Sequence, residues 1–255
     1  MTETDRFNVF LVNDGRHYEV PFLKRLGDLS DEVCRTVKDA KTGVEYPVLA
    51  ALVDHKLKEL DFKLTMSHEV EFIGYNHPDG RRTYLRSLCF VLQNAVRELF
   101  PDKVLIIDHS LPSGLYCNIC EVKLCEDGRR TPLKLSDNDI DIDAIRNRMR
   151  EIVDADMPFE KRKMDAVEAE LLFDNNNQPD KAELQRSLGK FLCSVYFLDG
   201  KADTFHGPLL HSTGALKVFD LIPFAQGFCL QFPSEGDFSK VIPVKTQSKI
   251  AATLS

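Results

Sequence analysis

The stretch from Thr83 to Cys120 constrains the fold of this chain most, because it predicts a helix followed by two strands. The helix has apolar residues at three- and four-residue spacing, which share one face: Leu85, Leu88, Leu92, Ala95 and Leu99. Pro101 ends the pattern, since proline disfavours helical geometry in the residue before it. A buried strand, a Pro-Ser-Gly turn and a second strand follow. The stretch therefore predicts a helix joined directly to a pair of strands.

The residues before this stretch predict a small unit of their own, at 6–75. Two strands, RFNVFLV and HYEVPF, flank Asn13-Asp14-Gly15-Arg16, which is a strong hairpin-turn sequence. LGDLSDEVCRTVKD places Leu29, Val33 and Val37 on one helical face, and more short strands surround a turn near Asp54-His55. A hairpin, a helix and further strands in this order predict a ubiquitin-like β-grasp fold.

A larger domain is predicted at 80–232, after a polar linker, NHPDGRR, in which Pro78 and Gly80 break regular structure. Ser136 is the expected N-cap of a second amphipathic helix, with Asp139 three residues later. The buried stripe of that helix is predicted to be Ile145, Met149 and Ile152. Helices against a mostly antiparallel sheet make the predicted class α+β.

The remaining elements of the larger domain have local start and stop signals. MPFEKRKM predicts a strand with a charged outer face, and Asp165 and Glu168 resemble a capping box that starts the next helix. Gly189 is predicted to end a short helix, after which short strands and turns alternate. Residues 233–255 are polar, and we expect them to form a linker or tail.

Composition and charge restrict the partners of the chain. The formal charge of -7 over 255 residues argues against sequence-independent binding to a nucleic-acid backbone, and we expect no DNA partner. No apolar run approaches the roughly 20 residues that span a bilayer, so we expect no membrane partner. The start, MTETDRFN, is too polar for a secretory signal. Seven scattered cysteines indicate reduced thiols, and we expect a cytoplasmic protein.

Cysteines and aspartates supply two candidate metal sites, each with a simpler explanation. Cys117-x-x-Cys120 with Cys125 has part of a zinc-site spacing, but LYCNICEVKLC alternates as a strand, which favours packing cysteines. Asp139, Asp141 and Asp143 resemble part of an EF-hand loop without its glycine and distal glutamate. They are better explained as acidic residues at the N-terminus of a helix.

Phosphate-binding and polyanion-binding signals are weaker still. Neither G-x-x-x-x-G-K-[ST] nor G-x-G-x-x-G occurs, so no known phosphate loop is encoded. Two groups of basic residues are either a polyanion-binding face or ordinary exposed charges: Arg146, Arg148, Arg150, Lys161, Arg162 and Lys163.

The order of elements resembles the N-terminal part of threonyl-tRNA synthetases, where a TGS domain precedes an editing-type domain. The Val9–Val20 hairpin, the Leu26–Val37 helix and AALVDHKLKELDF resemble the TGS domain. The Thr83–Cys120 stretch resembles the start of the second additional domain of threonyl- and alanyl-tRNA synthetases. In that family, two helix histidines four residues apart bind a catalytic metal, together with a late Cys-x-x-x-His segment.

The positions of this chain that match those metal ligands have other residues. The helix positions are Arg86 and Phe90, and the late segment is Phe205-His206-Gly207-Pro208-Leu209, with Phe205 and Leu209 at the ligand positions. Phenylalanine and leucine offer no lone pair, and a guanidinium stays protonated. The resemblance therefore implies an editing-type fold that has lost this metal site.

Three segments resemble one particular relative more closely, the N-terminal region of bacterial uridine kinase-type nucleoside kinases. They are TYLRSLCFVLQNAVRELFP, LIIDHSLPSGLYCNI and HGPLLHSTGALKVFDLIP, and the resemblance covers residues 6–232. In that family a P-loop kinase domain follows. The resemblance implies a non-catalytic accessory region, with residues 233–255 leading to a kinase domain that this chain lacks. ATP and Mg²⁺ are then expected only with that kinase domain, and this chain is expected to hold no cofactor and to phosphorylate nothing.

The same resemblance places several polar residues on the walls of the editing cleft. They could form a residual pocket for an anion or small ligand: Arg86, His109, Tyr116, His206 and His211. Alternatively, each histidine is a surface residue or is satisfied by its neighbours. Two rival functions stay open beside the accessory role. One is a metal-independent hydrolase of mischarged aminoacyl-tRNA, and the other is a module that binds tRNA or nucleotide.

Overall fold

The structure, a computed structural model, describes residues 5–112, 114–124, 130–134, 140–176, 178–235 and 237–242. It is α+β with mostly antiparallel sheets, which confirms the predicted class. Five helices are described: α1 (Leu26–Val33), α2 (Pro78–Leu99), α3 (Ile142–Asp154), α4 (Ala166–Asn175) and α5 (Pro179–Leu188). Within the residues described, no helix is long and apolar enough to cross a membrane.

The chain divides into two compact units that do not follow sequence order. The first comprises the described residues of Met1–Phe90 and Met157–Thr213, and the second those of Val91–Asp156 and Gly214–Ser255. Helix α2 runs through the division. The predicted domain boundaries, at 6–75 and 80–232, stay a prediction.

The first unit contains a five-stranded sheet. Its strands are β1 (Arg6–Leu11), β2 (Arg16–Pro21), β5 (Ala50–Val53), β6 (Lys56–Lys58) and β7 (Glu69–Ile73), in the order β2-β1-β7-β5-β6. β1 pairs antiparallel with β2 and parallel with β7, while α1 follows the hairpin. The predicted hairpin is confirmed, and the parallel pair is compatible with a β-grasp. The TGS assignment stays a prediction.

Two smaller sheets complete the first unit. β3 (Thr36–Lys38) pairs with β4 (Glu45–Pro47), and β11 (Glu160–Asp165), β12 (Leu192–Leu198) and β13 (Lys201–Asp203) form a three-stranded sheet. The predicted helical position of Val37 is wrong, because α1 ends at Val33 and Val37 is a buried residue of β3. A β-branched residue suits that strand position better than a helix.

Helix α2 begins earlier than the sequence predicts. The linker predicted at 76–82 is wrong from Pro78 onwards, because Pro78 is the first residue of the helix, where a missing N–H costs nothing. Gly80 lies in the first turn because only glycine fits there: a Cβ would be 1.9 Å from the carbonyl oxygen of Gly74. The buried surface of α2 is also wider than predicted, since Tyr84 and Phe90 are fully buried whereas Leu99 is exposed.

The second unit has one antiparallel sheet centred on a long strand. β9 (Gly114–Leu124) pairs with β8 (Lys103–Leu111), β10 (Arg130–Lys134) and β15 (Gly227–Gln231), and β15 pairs with β14 (Asp220–Phe224). Helix α3 packs against β14. Its predicted buried stripe of Ile145, Met149 and Ile152 is confirmed.

The sequence predicts residues at the ends of three helices, α3, α4 and α5, and the predictions for α4 and α5 are confirmed. The structure starts α3 at Ile142, with Asp141 as N-cap accepting from the Ala144 N–H, whereas the predicted cap Ser136 and Asp139 lie outside the described residues. The Asp165 cap of α4 is confirmed by its bond from the Val167 N–H at 2.8 Å. Gly189 ends α5 in the left-handed conformation, as predicted.

Candidate functional site

The segment from Phe205 to His211 is fastened to helix α2 within the first unit. The Arg86 guanidinium donates from Nε and Nη2 to the Pro208 carbonyl oxygen at 3.1 and 3.0 Å. Ser87 Oγ accepts from the Leu210 N–H at 2.9 Å. These bonds join residues more than a hundred positions apart, since Arg86 and Pro208 are separated by 122 residues. They hold the late segment in one register along the helix.

Gly207 lets the late segment approach the helix this closely. Its φ of +126° lies in a region that favours glycine, and a Cβ there would be 3.0 Å from Arg86 Cζ. Burial lowers the pKa of Arg86, but a guanidinium remains charged at neutral pH. The positive charge is therefore held against the backbone at Gly207 and Pro208.

The four positions that match metal ligands in the editing-type domain lie on helix α2 and in the late segment that is fastened to it, and three of the four are apolar. The rings of Phe90 and Phe205 are 5.2 Å apart, and Phe90 and Leu209 are fully buried. We call Arg86, Phe90, Phe205 and Leu209 the four-residue cluster. Three of its members have no lone pair, and the fourth donates hydrogen bonds to a carbonyl, so this set does not fit a metal. Across the described part of the chain, no group of three His, Cys, Asp or Glu residues is placed to hold one.

A cleft of about 490 Å³ lies beside this cluster in the first unit. Its apolar wall consists of Pro158, Phe159, Tyr196, Leu209 and Leu210. The wall continues the four-residue cluster, because Leu209 belongs to both and Phe159 stacks on Phe90 at 5.9 Å. The polar wall consists of Glu59, Asp61, Glu160, Lys161, Arg162 and His211.

Glu59, Lys161 and Tyr196 form one polar group of the cleft. Lys161 Nζ donates to Glu59 Oε1 at 2.8 Å and Oε2 at 3.1 Å, and the Tyr196 hydroxyl donates to Glu59 Oε2 at 3.0 Å. Lys161 Nζ also lies 5.5 Å from the centre of the Tyr196 ring. Tyr196 is only 3% exposed, and burial, followed by the charge of Glu59, raises its pKa well above the usual range. Its hydroxyl therefore stays a donor at neutral pH.

Asp61 forms the second polar group, with His211 and Arg25. Asp61 Oδ2 is 2.8 Å from His211 Nδ1, and Oδ1 accepts from Arg25 at 2.7 Å. Burial by itself would raise the pKa of Asp61, but His211 and Arg25 outweigh it and lower the pKa below 3.8. The segment that carries Asp61 is positioned by α1, because the Leu26 and Gly27 N–H groups donate to the carbonyls of Phe62 and Leu60.

The predicted residual-pocket residues are divided between the two units. Arg86, His206 and His211 belong to the first unit, where His211 lines the cleft, Arg86 holds the Pro208 carbonyl and His206 is exposed. His109 and Tyr116 belong to the second unit. There His109 is exposed on β8 beside a bulge, and Tyr116 is fully buried with its ring 6.0 Å from Phe224. Their joint role as a pocket stays a prediction.

No sequence pattern predicts that four polar residues line the cleft: Glu59, Asp61, Glu160 and Tyr196. Glu59 and Tyr196 are 137 residues apart, and spacing along the chain does not report such a pairing. For Lys161 and Arg162, the sequence allows a place in a polyanion-binding face. The structure pairs them with Glu59 and Glu160 instead, at 2.8 and 2.6 Å.

Two cysteines and two arginines of the other motifs are packing residues or paired charges. Cys117 and Cys120 are buried in strand β9, whereas Cys125 lies outside the described residues. Arg146 pairs with Asp143 and Asp220. Arg148 pairs with Glu98 and Glu151 in the second unit, and Arg150 is exposed.

No family model matches the chain, but its sequence is similar to a class of curated proteins, the threonine–tRNA ligases. The enzyme of Syntrophotalea carbinolica is 28% identical over 188 residues, 73% of this chain and 28% of the relative. That of Pelobacter propionicus is 27% identical over 215 residues, 84% of this chain and 31% of the relative. That of Chlorobaculum tepidum is 29% identical over 204 residues, 74% of this chain and 29% of the relative.

These comparisons confirm the predicted resemblance to threonyl-tRNA synthetases at the coarse level. The chain spans less than a third of the length of the relatives it matches, 28 to 31% for the three named above. They give no support to the predicted resemblance to nucleoside kinases, which stays a prediction.

Proposed function

We propose that this chain is a threonyl-tRNA synthetase-like module that binds tRNA and leaves the aminoacyl ester intact. The observation that carries the proposal is the similarity to threonine–tRNA ligases over 73% to 84% of the chain. The names of those relatives state that they act on tRNA. Residues 6–75 are proposed to be the TGS-like domain and residues 80–232 the editing-like domain.

A local basic surface supports tRNA as the partner despite the net charge of -7. Lys56 and Lys58 lie on β6, an edge strand of the five-stranded sheet, and alternate positions of a strand face the same way. Lys63 lies beyond the following turn, where it forms an isolated β-bridge with Arg25, and it is exposed. Among the described residues, none of the three has a carboxylate partner within salt-bridge distance, while Lys58 Nζ lies 4.7 Å from the centre of the Phe62 ring. We call these three residues the lysine edge, and lysines without a carboxylate partner are the groups that phosphates attract.

The four-residue cluster argues against metal-dependent hydrolysis at the position where the editing-type domain performs it. Phe90 and Phe205 are in ring contact, and Leu209 is fully buried. None of these three side chains can ligate a metal or transfer a proton. The chain would therefore bind tRNA without hydrolysing the aminoacyl ester through a metal at this position.

The proposal is tested by titrating tRNA into the chain over a series of salt concentrations. The variant Lys56→Gln/Lys58→Gln/Lys63→Gln should bind more weakly, and its affinity should depend less on salt, by roughly one in log–log slope for each phosphate that is no longer neutralised. The matched control is Lys24→Gln/Lys103→Gln/Lys240→Gln, because these lysines are already paired with Glu32, Glu121 and Asp237. Equal weakening in the two triple variants would contradict a role for the lysine edge.

A metal-independent aminoacyl-tRNA deacylase is the second candidate function. The observation in its favour is the polar cleft, which holds a carboxylate–lysine–tyrosine group in the same unit as the four-residue cluster. Hydrolysis of seryl-tRNA by the chain, reduced by Arg86→Ala and His206→Ala, would support this candidate and the predicted residual pocket together. No acceleration of hydrolysis would favour the binding module.

An accessory role beside a uridine kinase-type domain remains a prediction from resemblance alone, as does a cytoplasmic location. The prediction is that the purified chain does not phosphorylate uridine from ATP. A P-loop motif, GxxxxGK[ST], encoded just beyond the codon for Ser255 would support the kinase association. ATP-dependent phosphorylation of uridine by the purified chain would contradict the prediction that the chain is non-catalytic.

A further inference from the structure

We propose that the cleft of the first unit binds a small zwitterion, a molecule that carries an ammonium and a carboxylate on an apolar body, such as a free α-amino acid. The volume of about 490 Å³ is in the range of small-molecule sites, roughly 300 to 1,000 Å³. The proposal does not depend on tRNA binding, because the lysine edge lies outside the lining of the cleft.

Each acidic side chain of the cleft has a basic partner, and the least exposed of these pairs selects the ligand. Glu59 is paired with Lys161, Glu160 with Arg162, and Asp61 with both Arg25 and His211. The Glu160–Arg162 pair is more than half exposed, so water screens it. A zwitterion can exchange partners with the Glu59–Lys161 pair and leave both charges opposed. A simple anion or cation would leave one of these two partly shielded charges without its partner, which is costly.

Glu59 and Lys161 are the side chains best oriented to bind the ammonium and the carboxylate of the ligand. Glu59 is 18% exposed and Lys161 is 34% exposed, so both are partly shielded from water and both remain accessible from the cleft. The buried Tyr196 hydroxyl holds Glu59 in one orientation at 3.0 Å. A carboxylate held in this way loses little freedom when a ligand ammonium binds, and Lys161 can turn to the ligand carboxylate.

The apolar wall accounts for the body of the ligand. Phe159 and Leu210 are buried except for a small exposed fraction, and Leu209 is fully buried. These side chains form a firm surface, because Phe159 is stacked on Phe90 and Leu210 is tied to Ser87 through its N–H. An aliphatic side chain of the ligand would bury its surface there, at about 25 cal/mol per Å².

The test is calorimetric titration of the full chain with glycine, L-threonine and L-leucine as probes. We expect one site per chain for at least one probe. For that probe, the amide, which lacks the carboxylate, and the N-acetyl derivative, which lacks the ammonium, should each bind at least about tenfold more weakly. Methyl resonances of Leu209 and Leu210 should shift on titration with the probe that binds, which locates the site in the cleft.

Two variants of cleft residues, with a control variant on the strand that holds Lys161, test whether the ligand binds in the cleft. Glu59→Gln and Lys161→Met should each weaken binding at least about tenfold, a difference of about 1.4 kcal/mol. Lys163→Met lies two residues along β11, outside the cleft lining, and should bind as the unchanged chain does. Circular dichroism reports whether each variant is folded. Three results would overturn the proposal, whatever the result with tRNA: no binding of any probe, an amide or N-acetyl derivative that binds as tightly as its parent probe, or a loss of affinity in Lys163→Met equal to that in the two cleft variants.

Discussion

The rings of Phe90 and Phe205 are in contact, with centroids 5.2 Å apart, and they close the space between helix α2 and the late segment. In the editing-type domain that the chain resembles, the matching positions are a histidine and a cysteine that bind metal. The pair thus connects the same two elements through ring packing. Aromatic pairs contribute about 0.5 to 1.5 kcal/mol beyond the area that they bury.

Restoring the ligands should restore a metal site, if these positions converge as they do in the family. The variant Arg86→His/Phe90→His/Phe205→Cys/Leu209→His is expected to bind about one Zn²⁺ per chain, because a tetrahedral site takes four N or S ligands. Metal analysis after dialysis measures the stoichiometry, and Arg86→His/Phe90→His is the two-ligand control. A folded four-residue variant that retains no more Zn²⁺ than the control would show that the four positions do not converge correctly.

Replacing Arg86 should lower the free energy of unfolding more than replacing Arg82, an arginine one turn away in α2. Arg86→Met removes the donors to the Pro208 carbonyl, and we expect a decrease of about 1 to 3 kcal/mol in the free energy of unfolding. Arg82→Met is the control, because Arg82 is 66% exposed and, among the residues that the structure describes, has one ion pair, with Asp79 in the same turn. Its decrease should stay below about 0.5 kcal/mol. Urea unfolding measures both, and equal decreases would refute the fastening role of Arg86.

Gly80→Ala should destabilise the chain, although the same change usually stabilises a helix by about 1 kcal/mol. The new Cβ would meet the carbonyl oxygen of Gly74 at 1.9 Å, so the backbone must shift. We expect a decrease of about 2 kcal/mol or more in the free energy of unfolding, measured by heat or urea. Gly189→Ala provides the comparison: its φ is +59° with no atom within 4 Å, and strain alone should cost about 1 kcal/mol. A stabilised Gly80→Ala variant would contradict this packing.

Protonation of Asp61 at acid pH should lower the free energy of unfolding. Its pKa in the folded chain is below the 3.8 of the unfolded chain, so the native state favours the charged form. The contribution is complete above pH 3.8 and is lost as the pH falls through the lower, folded value. Asp61→Asn should therefore reduce the loss of unfolding free energy as the pH falls below about 4. Parallel curves for the two proteins below about pH 4 would exclude the contribution.

Local signals in the sequence are sufficient for several elements. The turn at Asn13-Asp14-Gly15-Arg16, the Asp165 cap and the Gly189 stop each depend on residues within a few positions of one another. The end of α1 is harder to predict, because the helical spacing of Val37 competes with its preference for a strand. Hydrophobic spacing does not decide between the two in a short segment.

The site depends on contacts that no local pattern reports. Glu59 meets Lys161 across 102 residues, and Asp61 meets His211 across 150. The resemblance locates Arg86 and Leu209, which belong to the four-residue cluster, but it gives no reason to single out Glu59 or Tyr196. The cleft becomes visible only in the folded unit, where the described residues of 1–90 and 157–213 lie together and both contribute to its lining.

The most direct test of the proposed function follows one sample of seryl-tRNA incubated with the chain. Filter binding measures the complex, and acid precipitation of labelled serine measures the surviving ester. We predict a complex that weakens steeply with salt, and an ester half-life that is the same with and without the chain. Failure to form a complex, or ester hydrolysis that is faster with the chain than without it, would contradict the proposed function.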